Sequence, residues 1–138
     1  MSKWVLVALL VIQAHFAASY LVPLDERSQG AFGGLLRWAW PWSEGDHGPL
    51  GQVSVAHGPP SAGLFLAMAA GGLLLLAALA VAGLWAPVAW WRALAVLGTG
   101  LLVCLMALFL SPTKVLPMAV GLATAYVALR APTIFAVG

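Results

Sequence analysis

The stretch AGLFLAMAAGGLLLLAALAVAGLW, residues 62–85, contains no charged side chain and is long enough to cross a membrane as a helix. A transmembrane α-helix needs about 20 mostly apolar residues. Three further stretches, residues 4–21, 88–110 and 115–129, are also mostly apolar. We therefore predict an all-α polytopic membrane protein, a single domain over residues 1–138 with four transmembrane helices.

The composition supports this class and excludes others. Of the 138 residues, 63% are hydrophobic and only 7% are charged, whereas a soluble domain carries about 25% charged residues. The apolar residues exceed what a small core can bury, so the excess is expected to face the lipid bilayer. The net charge of +2, without a basic cluster, indicates no nucleic-acid partner. The single cysteine, Cys104, is interpreted as a small apolar residue.

The distribution of charge predicts the orientation. Lys3, Arg92 and Arg130 fall on the side of both termini, and Lys114 falls on the other side with the two arginines of residues 23–60. Each side therefore carries three basic residues, and the positive-inside rule alone does not decide the orientation. All four acidic residues lie in the segment 23–60, so we expect that segment to be extracytoplasmic and both termini cytoplasmic, in a bacterial inner membrane. The first stretch begins like a signal peptide and is interpreted as an uncleaved anchor helix.

The segment 23–60 is predicted to be more than a free loop. Phe32, Leu35, Leu36 and Trp40 recur at helical spacing, which indicates a short helix in the membrane interface; a re-entrant segment is the alternative. Aromatic residues are enriched at protein interfaces. We therefore expect the partner-binding residues to be Trp38, Trp40 and Trp42.

Small residues in the apolar stretches predict close helix packing. Gly71 and Gly72, Gly98 and Gly100, and Gly121 lie in the second, third and fourth stretches respectively. Small residues let helix backbones approach each other in a membrane. The short Ala-Pro turn at residues 86–87 predicts that the second and third helices form an antiparallel hairpin within a four-helix bundle.

His15 is the candidate cofactor-binding residue. An ionisable group inside a membrane is costly and often functional, so His15 is a candidate to ligate a haem iron or a chlorophyll magnesium, or to bond a quinone carbonyl. The alternative is a neutral histidine bonded to Ser19 or to a neighbouring helix. Gln13 is interpreted as packing glue between helices. No cofactor is identified by the sequence.

The chain offers few groups for catalysis. It has no phosphate-binding glycine loop and no nucleophile elbow, and its predicted spans contain no acidic residue. His47 and His57 lie near Glu44 and Asp46, but their spacing matches no metal-site signature. We therefore predict no metal site and no catalytic residues, and an enzymatic role is disfavoured though left open.

The layout resembles the DoxX-like small membrane proteins. The resemblance rests on Gly71-Gly72 followed by the leucines of residues 73–76, and on the short turn that leads to Arg92. It covers the second and third helices. It implies four transmembrane helices and a partner of redox enzymes at the membrane, sometimes linked to quinone, and it assigns no site residue.

Three functions remain open from the sequence. The first is a non-catalytic accessory or structural subunit of a larger membrane complex, possibly respiratory or photosynthetic, which binds other membrane subunits. The second is a redox module that binds a quinone, haem or pigment through His15. The third is a small oligomeric transporter, ranked last because the second and third stretches lack a polar face.

Overall fold

The computed structural model describes residues 2–21, 47–48, 51–52, 61–108 and 114–130. This part of the chain forms four α-helices: α1 (Lys3–Ala18), α2 (Ser61–Ala82), α3 (Trp91–Leu108) and α4 (Val115–Arg130). A 3-10 turn at Ser19–Leu21 extends α1, and another at Val88–Trp90 precedes α3. The described residues otherwise contain one minimal antiparallel pair, β1 (His47–Gly48) with β2 (Gly51–Gln52). Apart from this pair, the helical class is confirmed.

Two helical stretches are long and apolar enough to cross a membrane. They are Ala62–Ala82 and Val88–Leu108, with 21 residues each. The apolar helices α1 and α4 have 16 residues each, about 24 Å at 1.5 Å per residue, which is shorter than the hydrocarbon core of about 30 Å. The four helices match the four predicted stretches, and two of them meet the length criterion for a span.

Gly83 ends α2 before the predicted end at residue 85. Its φ of 81° is in the left-handed region, which costs glycine little. The Gly83 amide donates to the Ala80 carbonyl oxygen at 3.1 Å, and the Leu84 amide donates to Leu79 at 2.8 Å. These two bonds form a Schellman motif, which satisfies carbonyls at the end of the helix.

Trp85 follows in an unusual backbone conformation. Its φ is 62°, which is costly for a bulky residue. The Ala86 amide donates to the Leu84 carbonyl oxygen at 2.7 Å across Trp85, which closes a tight turn of the γ type. The Trp85 side chain is 98% exposed. The turn therefore displays the indole at the end of the bundle.

The helices pack antiparallel in the order of the chain. Gly63 lies against Tyr20 and Gly71 lies against Ala17, so α1 and α2 run in opposite directions. A Cβ atom added to Gly98 would lie 2.9 Å from Cγ of Leu74, which places α2 and α3 at close range. This contact confirms the predicted hairpin. Helix α4 packs mainly against α3 and less extensively against α1.

Candidate functional site

Three polar side chains meet in the interior of the bundle, one each from α1, α3 and α4. Gln13 Nε2 donates to Oγ1 of Thr124 at 2.7 Å, and Thr99 Oγ1 donates to Oε1 of Gln13 at 3.1 Å. All three residues are buried, and Gln13 is completely so. We call Gln13, Thr99 and Thr124 the polar network. It connects three helices whose other interior side chains are mostly apolar.

Hydrogen bonds within the bundle use three of the four N–H and O–H donors of the network. The Thr124 hydroxyl accepts from Gln13 and donates its proton to the Val120 carbonyl oxygen at 2.9 Å. The Thr99 proton is committed to Gln13. A buried polar group that lacks a partner is costly in an apolar medium. Because most of these donors are paired inside the bundle, the arrangement is suited to holding helices together rather than to activating a substrate.

Gly121 allows α4 to approach the network. A Cβ atom at this position would lie 3.4 Å from Cγ2 of Thr99 and 3.7 Å from Oε1 of Gln13. Both distances permit ordinary contact but leave no room for a larger side chain. The prediction that this glycine lies in a helix–helix interface is confirmed.

Sequence reasoning found one member of the network and missed two. The interpretation of Gln13 as packing glue is confirmed by its two interhelical bonds. Thr99 and Thr124 were missed because a single threonine in an apolar run carries no signal alone. The available signal was depth: all three residues lie near the middle of their helices, where a polar side chain needs a polar partner.

His15 lies at the edge of the bundle rather than in its interior. The side chain is partly buried and lines a shallow groove of about 240 Å³ with Val11, Ala14, Ala18 and Leu75. The groove opens on the outer surface of α1 and α2. Its lining is otherwise apolar, so this position combines one imidazole with an apolar surface.

Ser19 does not donate to His15. Its hydroxyl donates to the Phe16 carbonyl oxygen at 2.8 Å, which uses its single proton. The imidazole ring is 6.0 Å from the Phe16 ring, centroid to centroid, with a tilt of 52°. Within the described part of the chain, no group of three His, Cys, Asp or Glu residues could hold a metal ion. Any metal bound at His15 would therefore need ligands from another source.

Most of the residues singled out between positions 23 and 60 lie outside the described residues. Trp38, Trp40 and Trp42, the expected interfacial helix and His57 lie outside the described residues. His47 lies in β1. Their proposed roles stay predictions.

A second polar feature lies at the end of the bundle where Trp85 and Trp90 are exposed. Arg92, in the first turn of α3, reaches the last turn of α4. Its Nε donates to the Ala128 carbonyl oxygen at 2.8 Å, and its Nη2 donates to Leu129 at 3.1 Å. The last carbonyls of a helix lack partners within the helix, so Arg92 caps α4 from the neighbouring helix.

Comparison with protein-family models, curated proteins and solved structures finds no match to this chain. The resemblance to the DoxX-like proteins therefore stays a prediction.

Proposed function

We propose that the protein is a non-catalytic accessory or structural subunit of a larger integral membrane complex. In this proposal all four helices insert into a bacterial inner membrane, with both termini cytoplasmic. The energy-transducing complexes of respiration or photosynthesis are the class that the proposal favours. Other membrane subunits are the expected partners.

The polar network is the observation that carries this proposal. The interior polar groups of α1, α3 and α4 bond to each other and to helix carbonyls. In a bilayer, packing and interhelical hydrogen bonds associate helices because lipid supplies no hydrophobic force between them. An interior used in this way supports a scaffold role, since a catalytic or transport site needs polar groups that are available to a substrate.

The outer surface of the bundle is compatible with the same role. Large apolar side chains are exposed on α2 at Phe65 and Met68 and on α4 at Leu122 and Leu129. Such surfaces suit lipid or the helices of other subunits equally. Within the segment 23–60, the proposal assigns partner docking to Trp38, Trp40 and Trp42, because aromatic residues are enriched in interfaces.

A second candidate function is a redox module built on His15. The observation that favours it is the partly buried imidazole in an apolar groove on the helix surface. A flat ring or a quinone head group could lie in such a groove and contact the imidazole. Binding there would need a further ligand or a second protein, because the groove contains no other polar side chain among its described lining residues.

One native purification distinguishes these functions. The full chain is extracted in mild detergent, and the same sample is analysed by mass spectrometry and absorption spectroscopy. Other membrane subunits in fixed stoichiometry would support the accessory role. A protein that purifies alone with a Soret band, pigment or quinone would contradict it and favour the His15 module. A colourless protein alone would leave the oligomeric transporter, to be tested by flux into proteoliposomes.

A variant pair tests the second candidate directly. His15→Ala is expected to lose any bound chromophore or quinone if the imidazole holds it, and His47→Ala, outside the helices, serves as the matched control. An unchanged spectrum and quinone content in His15→Ala would refute the His15 module.

A further inference from the structure

Arg92 lies in an open cleft between the first turns of α3 and the last turn of α4. The cleft has a volume of about 410 Å³. Its remaining lining is small or apolar and consists of Ala89, Ala93, Val96, Ala128 and Leu129. One cationic side chain therefore stands in an otherwise apolar cavity that opens to the surface.

The capping role leaves much of the guanidinium group available. A guanidinium carries five N–H donors in a planar fork. The bonds to Ala128 and Leu129 use two of them, so three remain. The carbonyl partners carry only the partial negative charge of a helix C-terminus. No described residue is acidic, so within the described part of the chain no carboxylate neutralises Arg92.

The surroundings of the cleft indicate the depth of a lipid headgroup. Trp90 and Trp85 are exposed at the same end of the bundle, and indole rings favour the membrane–water interface. Arg130 ends α4 nearby, with its guanidinium carbon 5.7 Å from the centroid of the Tyr126 ring. Lys3 lies at the start of α1, at this end as well. This end of the bundle is therefore cationic and aromatic.

We propose that the cleft binds the phosphate of an anionic phospholipid. Arg92 donates its free N–H groups to the phosphate oxygens, and the start of an acyl chain lies against the apolar wall at Ala93 and Val96. Basic pockets between transmembrane helices bind acidic headgroups in this manner, and a guanidinium fork matches phosphate geometry. The apolar wall favours a lipid over a soluble anion. The proposal rests on the membrane insertion proposed above but not on the accessory role.

The test uses the full chain in nanodiscs of phosphatidylcholine that contain a minor fraction of phosphatidylglycerol. Native mass spectrometry then measures the ratio of the two lipids that stay bound to the protein. The unaltered protein is expected to retain phosphatidylglycerol preferentially. Arg92→Gln is expected to reduce this preference by about tenfold or more, as for the loss of a charge-assisted hydrogen bond. Arg130→Gln, which removes the same charge outside the cleft, is expected to change it by less than about twofold.

A second variant separates binding from folding, since Arg92→Gln also removes the cap of α4. Ala93→Glu keeps Arg92 and its two bonds but places a carboxylate in the cleft, and the same loss of preference is expected. Unchanged preference in both variants, or equal loss in Arg130→Gln, would overturn the proposal. Displacement of the lipid by inorganic phosphate would overturn the lipid assignment in favour of a soluble anion. Failure of the folded chain to enter nanodiscs would instead refute membrane insertion.

Discussion

Replacing Thr124 with valine tests whether the polar network stabilises the bundle. The substitution keeps the branched shape but removes the hydroxyl that accepts from Gln13 at 2.7 Å and donates to Val120 at 2.9 Å. Interhelical hydrogen bonds in a membrane protein contribute about 0.6 kcal/mol on average and about 1.7 kcal/mol at most. The short bond belongs in the upper half of that range. A buried amide N–H also loses its partner, so we expect a loss of about 1–2 kcal/mol.

The assay is reversible unfolding by SDS titration in mixed micelles, followed by tryptophan fluorescence. Trp91 is buried in the folded bundle, so its emission should change on unfolding. A double-mutant cycle isolates the bond. Gln13→Met, which keeps the length of the side chain, is combined with Thr124→Val, and a coupling of about 0.6–1.7 kcal/mol is expected.

The same cycle with Thr99→Val is the matched comparison. The hydrogen bond from Thr99 to Gln13 is longer, at 3.1 Å, so the coupling energy between these two residues should be smaller. Independent sites add within about 0.3–0.5 kcal/mol. A coupling below about 0.3 kcal/mol between Gln13 and Thr124 would refute the reasoning that their hydrogen bond holds α1 against α4.

Three further substitutions have defined outcomes in the same unfolding assay. Gly98→Ala should destabilise the bundle by about 1–3 kcal/mol, because the new Cβ would lie 3.1 Å from the Leu74 backbone nitrogen in α2. Gly100→Ala should be neutral or slightly stabilising, because its new Cβ would meet nothing within 4 Å. Equal effects of the two substitutions would contradict the close packing of α3 against α2. Trp85→Gly should be more stable than Trp85→Ala by about 1 kcal/mol, because only glycine adopts a φ of 62° without cost, and no difference between them would contradict the strained turn. Gly63→Ala should destabilise the bundle, because its new Cβ would lie 2.7 Å from a ring carbon of Tyr20. Gly72→Ala should not, since its added Cβ would meet nothing within 4 Å.

The helices were predictable because their apolar runs are long and uninterrupted. Residues 62–85 indicated α2, which begins one residue earlier and ends at Ala82, since Gly83 adopts the left-handed conformation that terminates the helix. The fourth helix was predicted over residues 115–129 and is observed at Val115–Arg130. Apolar composition therefore locates these helices, whereas the end of α2 depends on the conformation of Gly83.

The polar network was not predictable from local patterns. Thr99 and Gln13 are 86 residues apart in the chain, and their meeting depends on the rotation of each helix about its axis. Such rotation is set by packing, in which Gly98 and Gly121 contact neighbouring helices while Gly100 has nothing within 4 Å. The sequence presents Gly98 and Gly100 alike. The cap that Arg92 forms on α4 was not predictable for the same reason, because Arg92 reaches the end of α4 only when the helices are packed.

Helix α2 holds its place in the bundle by shape. The polar network joins α1, α3 and α4, whereas residues 62–82 of α2 contain no polar side chain. Its axial position is marked instead by Gly63 and Gly71 against α1 and its 3-10 extension, and by Leu74 against Gly98. Other apolar residues should therefore be tolerated over much of its surface as long as the two glycine recesses and the Leu74 protrusion are preserved. The position of α2 is therefore specified by the shape of its surface rather than by polar side chains.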